Sequence, residues 1–112
     1  GAGALQALLD SFRYDDPRAE TCCALGAWFQ AREDWRRAAF WYELALTRER
    51  DDRRGGFVRP DCYGFLPCIQ LCVCLDRLGR RDEAAAWNQR AGRYKPEGPA
   101  YLWNLSYFSS HI

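Results

Sequence analysis

The sequence predicts an all-α fold of antiparallel helical hairpins stacked side by side, and three observations support this prediction. First, the chain repeats itself after 46 residues, because Cys22 aligns with Cys68 and Leu25 aligns with Leu71. Second, apolar residues recur at helical spacing between clusters of glycine, proline and charged residues. Third, no segment is rich in the residues typical of β-strands. A repeated helical unit cannot bury its apolar face alone, so its neighbours must cover it.

Three helices are predicted in the first half of the chain. Apolar residues at helical spacing indicate the first helix, over 4–14. The segment Asp15-Asp16-Pro17 ends this helix and begins the second, over 18–31, because proline suits a first turn and an acidic residue caps it. Asp34 is a suitable N-cap for the third helix, over 35–48. The second and third helices are joined by a short turn and therefore form a hairpin.

The second half of the chain is predicted to contain three more helices after an interruption. Residues 51–64 combine glycine and proline with charges of both signs, which disfavours a continuous helix. A fourth helix follows over 65–78, and Gly79 ends it. A fifth is predicted over 82–94. Prolines and a glycine separate it from a last helix over 100–109.

The predicted organisation is one domain spanning residues 1–112. A chain of 112 residues has room for about six short helices around one core. The sequence contains no methionine, even at position 1, and we therefore expect it to be a fragment of a longer protein. Its parts are a partial repeat over 4–16, repeat one over 17–50, an insertion over 51–64, repeat two over 65–98 and a terminal helix over 99–112.

Composition bounds the partners that we expect. The net charge is +1, so no strong electrostatic field favours nucleic acid or an anionic membrane. No run of about 18 apolar residues indicates a membrane span. The six cysteines lack the spacing of a zinc site, and we expect them to be small buried thiols between helices. Free thiols are typical of a reducing compartment, which predicts a cytoplasmic protein.

The two hairpins resemble tetratricopeptide repeats, whose pattern is W-x2-L-G-x2-Y followed by A-x3-F, an alanine and a late proline. The matching residues of the first hairpin are Leu25, Gly26, Phe29, Ala38, Tyr42 and Ala45. Those of the second hairpin are Leu71, Leu75, Gly79, Ala84, Ala91 and Pro96. Cys22 and Cys68 replace the tryptophan of the pattern, and about 12 residues are inserted between the hairpins. The resemblance implies a tetratricopeptide-like array.

A second resemblance concerns the insertion and the helices that follow it. The run GFVRPDCYGFLPCIQLCVCLDRLGRRDEAAAWNQRAGRYKP, followed by LWNLSYF, is similar to the C-terminal helical region of bacterial family 2 glycosyltransferases. It covers roughly residues 17 to 108. The resemblance implies a parent enzyme that transfers a sugar from a nucleotide donor and carries this chain as an accessory domain.

No residues in this sequence combine into a recognisable catalytic, cofactor or metal site. Asp15-Asp16 and Asp51-Asp52 are acidic pairs, but the first caps a helix and the second lies in a mixed-charge segment. His111 is the only histidine and lies at the end of the chain, so we expect no cysteine or serine to have a partner histidine. We therefore expect no catalysis, cofactor or metal in this chain.

The first helix of each tetratricopeptide repeat lines the concave surface of the array, which directs attention to equivalent positions here. By helical phase these predicted binding residues are Ile69, Gln70, Val73, Arg77, Trp103, Asn104 and Tyr107. Phase also places Glu20, Cys23, Ala27 and Gln30 on this surface. We expect a protein or peptide partner, or the parent's own catalytic domain, and homo-oligomers are a further possibility. The alternative function is that of a free-standing peptide-binding adaptor.

Overall fold

The computed structural model describes residues 2–10, 18–50 and 58–110, and within these ranges it contains helices and no strand. The six α-helices are α1 (Ala2–Asp10), α2 (Ala19–Ala31), α3 (Trp35–Leu46), α4 (Phe65–Arg77), α5 (Arg81–Tyr94) and α6 (Pro99–Ser110). A short 3₁₀ turn, Pro60–Tyr63, precedes α4. The predicted all-α fold with six helices is confirmed, and every described boundary lies within two residues of its prediction.

Some predicted features fall outside the described residues. The predicted end of the first helix at residue 14 lies there, as does the segment 15–17. The prediction that an acidic residue caps the second helix is wrong, because α2 begins at Ala19 and Arg18 occupies its N-cap position without a side-chain hydrogen bond. Half of the predicted insertion, residues 51–57, also lies outside them. The described remainder of the insertion is the 3₁₀ turn and its approach.

Two local signals for the hairpin turns act as predicted. The Asp34 side chain caps α3 by accepting a hydrogen bond from the Arg37 amide at 3.3 Å. Gly79 follows α4 with φ +82°, a left-handed conformation that suits glycine because it has no Cβ. Both positions therefore reverse the chain, and α2 packs on α3 as α4 packs on α5.

The helices pack in chain order. Each of α2 to α5 contacts the next helix, and α2 also contacts α4. Consequently α4 lies between α3 and α5, and most of its residues are buried. The specific tetratricopeptide geometry stays a prediction.

Equivalent positions of the two repeats form the core. The buried pairs are Cys22 and Cys68, Leu25 and Leu71, Ala38 and Ala84, and Ala45 and Ala91. All six cysteines are buried and free, which confirms the prediction of buried thiols between helices. Burial raises the pKa of Cys68 to about 11, so this thiol is neutral near pH 7.

Close contacts between helices depend on glycines that seat tyrosine rings. Gly26 of α2 lies beneath the ring of Tyr42 in α3, and a Cβ at Gly26 would come within 2.7 Å of that ring. Gly92 of α5 seats the ring of Tyr101 in α6 in the same way. The absent side chains therefore allow each pair of helices to approach closely.

Candidate functional site

Two grooves flank α4 on the surface that the sequence predicts to bind a partner. The α2/α4 groove has a volume of about 460 Å³ and is lined mainly by residues of α2 and α4. The α4/α6 groove has a volume of about 600 Å³ and is lined by α4, the start of α5, and α6. Both volumes lie in the range of ligand-binding clefts.

The structure brings five of the seven predicted binding residues together in the α4/α6 groove. These are Val73, Arg77, Trp103, Asn104 and Tyr107. Gln70 lies instead in the α2/α4 groove. Ile69 is 6% exposed and belongs to the core beside Ala91, so it lines neither groove.

An aromatic wall forms one side of the α4/α6 groove. The Trp103 side chain is 67% exposed and stacks on Tyr107, with 5.7 Å between ring centroids and 11° between planes. The Tyr107 hydroxyl donates to Asp76 Oδ2 at 3.2 Å and accepts from Arg81 Nη2 at 3.1 Å. Tyr107 is therefore held in place, and it supports the exposed indole of Trp103.

A polar ladder attaches this wall to the rest of the protein. Asn88 of α5 is 1% exposed, and its Nδ2 donates to the backbone oxygen of Tyr101 at 3.2 Å. The Oδ1 atom of Asn88 accepts a hydrogen bond from Asn104 Nδ2 at 3.1 Å. The Nδ2 atom of Asn104 also lies 3.8 Å from Cys72 Sγ. Asn104 therefore positions α6 in addition to lining the groove. The sequence carried a signal for this ladder, since Asn88 stands where the repeat pattern has an aromatic residue.

Charges along the α4/α6 groove are partly paired. Arg81 Nε lies 3.5 Å from Asp76 Oδ1, so these two groups compensate each other. The Arg77 guanidinium lies 5.6 Å from the centre of the Trp35 ring, within the range of a cation–π interaction. The charged side chains lining the groove are Asp76, Arg77 and Arg81, and their formal charges sum to +1.

The α2/α4 groove is crossed by amide groups. Gln30 Nε2 donates to Gln70 Oε1 at 2.8 Å, and the Tyr42 hydroxyl donates to Gln30 Oε1 at 2.7 Å. These bonds connect α2, α3 and α4. Gln70 and Gln30, both predicted on the binding surface, therefore satisfy part of each other's hydrogen-bonding capacity.

Arg59, in the described part of the insertion, lines the α2/α4 groove, which the sequence did not indicate. Glu20 accepts hydrogen bonds from the Arg59 amide at 2.9 Å and from the Tyr63 hydroxyl at 2.8 Å. Partial burial acts to raise the pKa of Glu20, but these hydrogen bonds outweigh it and the pKa is lowered. Burial and the bond to Glu20 raise the pKa of Tyr63 to about 12. On the other side of the turn, Lys95 Nζ lies 2.7 Å from Asp61 Oδ2.

Neither metal-binding clusters nor membrane-spanning helices occur in the described ranges. Within residues 2–10, 18–50 and 58–110, no three histidine, cysteine or acidic side chains come together to hold a metal ion. None of the helices over those residues is both long and apolar enough to cross a bilayer. No protein-family model, curated protein or solved structure matches this chain.

Proposed function

We propose that this chain is a non-catalytic protein-interaction domain that binds a peptide segment in the α4/α6 groove. The observation that carries the proposal is the exposed indole of Trp103, which stacks on the hydrogen-bonded ring of Tyr107. Tryptophan and tyrosine are enriched among the residues that dominate binding energy at protein interfaces. An aromatic side chain already held in place loses little conformational entropy on binding, so it favours affinity.

The groove has the mixed character that suits a peptide. Trp103 of α6 and Val73 of α4 offer apolar surface, while Arg77 and Asp76 of α4 offer charged groups. Peptide-recognition grooves combine apolar anchor positions with polar groups that select the sequence of the partner. A peptide of another protein and a segment of a parent enzyme's catalytic domain would both meet these requirements.

We further propose that the parent protein is a bacterial glycosyltransferase that uses this domain to position an acceptor or to join subunits. The supporting observation is the resemblance of the sequence between the insertion and the end of α5 to that class of enzyme. The described part of the insertion also contacts α2, because the Arg59 amide donates to Glu20. Six free, buried thiols support a cytoplasmic location. Reading the coding sequence upstream is the test, because a nucleotide-sugar domain supports the enzyme, and an unrelated domain favours an adaptor protein.

Peptide binding is tested by selection followed by substitution. We expect peptides selected from a displayed random library to bind the domain, and Trp103→Ala to weaken them at least tenfold. Phe40→Ala is the matched control, because Phe40 is an aromatic residue of α3 that is 57% exposed and lines neither groove. Fluorescence polarisation measures both affinities. Equal affinity for the Trp103→Ala variant and the unsubstituted domain would reject the groove as the binding site.

A further inference from the structure

The α4/α6 groove carries one positive charge that no carboxylate in the described part of the chain neutralises. Asp76 is engaged by Arg81 and by the Tyr107 hydroxyl. Among residues 2–10, 18–50 and 58–110, no carboxylate lies within ion-pair distance of Arg77. The net +1 charge of the lining side chains therefore resides on Arg77.

The environment of Arg77 leaves its hydrogen-bond donors available. Its guanidinium carbon lies 5.6 Å from the centre of the Trp35 ring, and its N–H groups donate to no other residue of the ranges 2–10, 18–50 and 58–110. The N–H donors of a guanidinium form a planar fork that matches the two oxygens of a carboxylate, so these donors suit an acidic ligand. Arg77 lies in the last turn of α4, where a cation is favourable without any ligand. The interaction of Arg77 with the end of the helix leaves its positive charge in the groove.

We infer that the peptide bound in the α4/α6 groove places a carboxylate on Arg77 and an aromatic or large apolar side chain on Trp103. This inference rests on the proposed function, because it specifies the partner of the same groove. The two anchor points line one groove. Arg77 has no carboxylate partner among the described residues, and the Trp103 side chain is 67% exposed although it stacks on Tyr107. An acidic residue of the peptide would compensate the charge, and its neighbouring ring or aliphatic chain would cover the indole.

Three small probes with one phenyl ring and different charges separate the two parts of the inference. They are 3-phenylpropionate, 3-phenylpropanol and 3-phenylpropylammonium, each titrated into the isotope-labelled domain and followed by NMR. We expect all three to shift the indole N–H signal of Trp103, with 3-phenylpropionate bound about three- to fivefold more tightly than the alcohol. The ammonium probe should bind most weakly. Raising the salt concentration should reduce these differences.

Substitution assigns the preference to Arg77. We expect Arg77→Gln to abolish the difference between 3-phenylpropionate and the alcohol while leaving the affinity for the alcohol unchanged. Arg93→Gln is the matched control, because Arg93 is an exposed arginine in the last turn of α5 and lies outside the groove. Equal binding of the three probes to the unsubstituted domain would overturn the inference but leave the proposed function standing. If no probe shifts the Trp103 signal, the proposed function fails as well.

Discussion

Replacing Gly26 by alanine should destabilise the protein, although alanine is the better helix former. The new Cβ would lie 2.7, 2.8 and 2.9 Å from three carbons of the Tyr42 ring. That ring cannot move away, because Tyr42 is 1% exposed and its hydroxyl is bonded to Gln30. Overpacking of this kind costs about 1–3 kcal/mol, and the higher helix propensity of alanine returns about 1 kcal/mol. We expect a net loss of about 1 kcal/mol and at most about 2 kcal/mol, and each kcal/mol lowers Tm by about 4–8 °C.

Urea denaturation followed by circular dichroism measures this loss, and two further variants test its cause. Gly3→Ala in α1 is the matched control, since a Cβ there meets no atom within 4 Å and stability should not fall. The double variant Gly26→Ala/Tyr42→Leu removes the ring that obstructs the methyl group. We expect Gly26→Ala to be neutral or stabilising in that background, which gives a coupling energy of about 2 kcal/mol. Additive effects of the two substitutions would refute steric conflict as the cause.

Three further predictions concern the polar ladder, the insertion and the buried thiols. Asn88→Leu should speed amide hydrogen exchange in α6 about tenfold while leaving exchange in α2 unchanged, because it removes the hydrogen bonds to Tyr101 and Asn104. Equal α6 exchange rates in the variant and in the unsubstituted protein would contradict the ladder's role. Glu20→Ala should expose the Arg59 amide to exchange, as NMR can record, whereas Lys95→Ala should leave that amide protected. Alkaline pH should lower the unfolding free energy measured in urea, from about pH 9 to pH 12. The folded state raises the thiol pKa values, so their stabilisation is present below the ordinary pKa of 9.0 and is lost as pH rises through the folded values; a constant free energy to pH 11 would contradict this. The thiols concerned are Cys22, Cys68, Cys72 and Cys74.

The sequence predicted the helices well because their limits depend on local chemistry. Glycine at the end of α4 and the acidic cap of α3 act within a few residues of themselves. The core was also predictable, since small and apolar residues recur in both repeats and a repeated unit must bury the same face each time. The grouping of Trp103 and Tyr107 with Arg77 followed from helical phase together with the resemblance to tetratricopeptide repeats.

Contacts between distant residues were not predictable from local patterns. Glu20 accepts a hydrogen bond from Tyr63, which lies 43 positions away. The contact between α2 and the described part of the insertion therefore depends on how the hairpins pack. Helical phase placed Ile69 on the binding surface, but α4 is covered by both α3 and α5 and therefore buries a wider arc than a single stripe. The Asn88 ladder required a partner on α6 that only the folded chain identifies.

The attachment of α6 has a thermodynamic consequence for any partner. No residue of α6 is fully buried, and the helix packs mainly on α5. Elements held this way open by local fluctuations at a smaller free-energy cost than global unfolding. A partner that bridges α4 and α6 binds only when α6 is packed on α5. At a concentration 100-fold above its Kd, such a partner would therefore raise the free energy of opening α6 by about 2.7 kcal/mol. Occupancy of the groove could therefore be read from the exchange rates of the α6 amides, without any label on the partner.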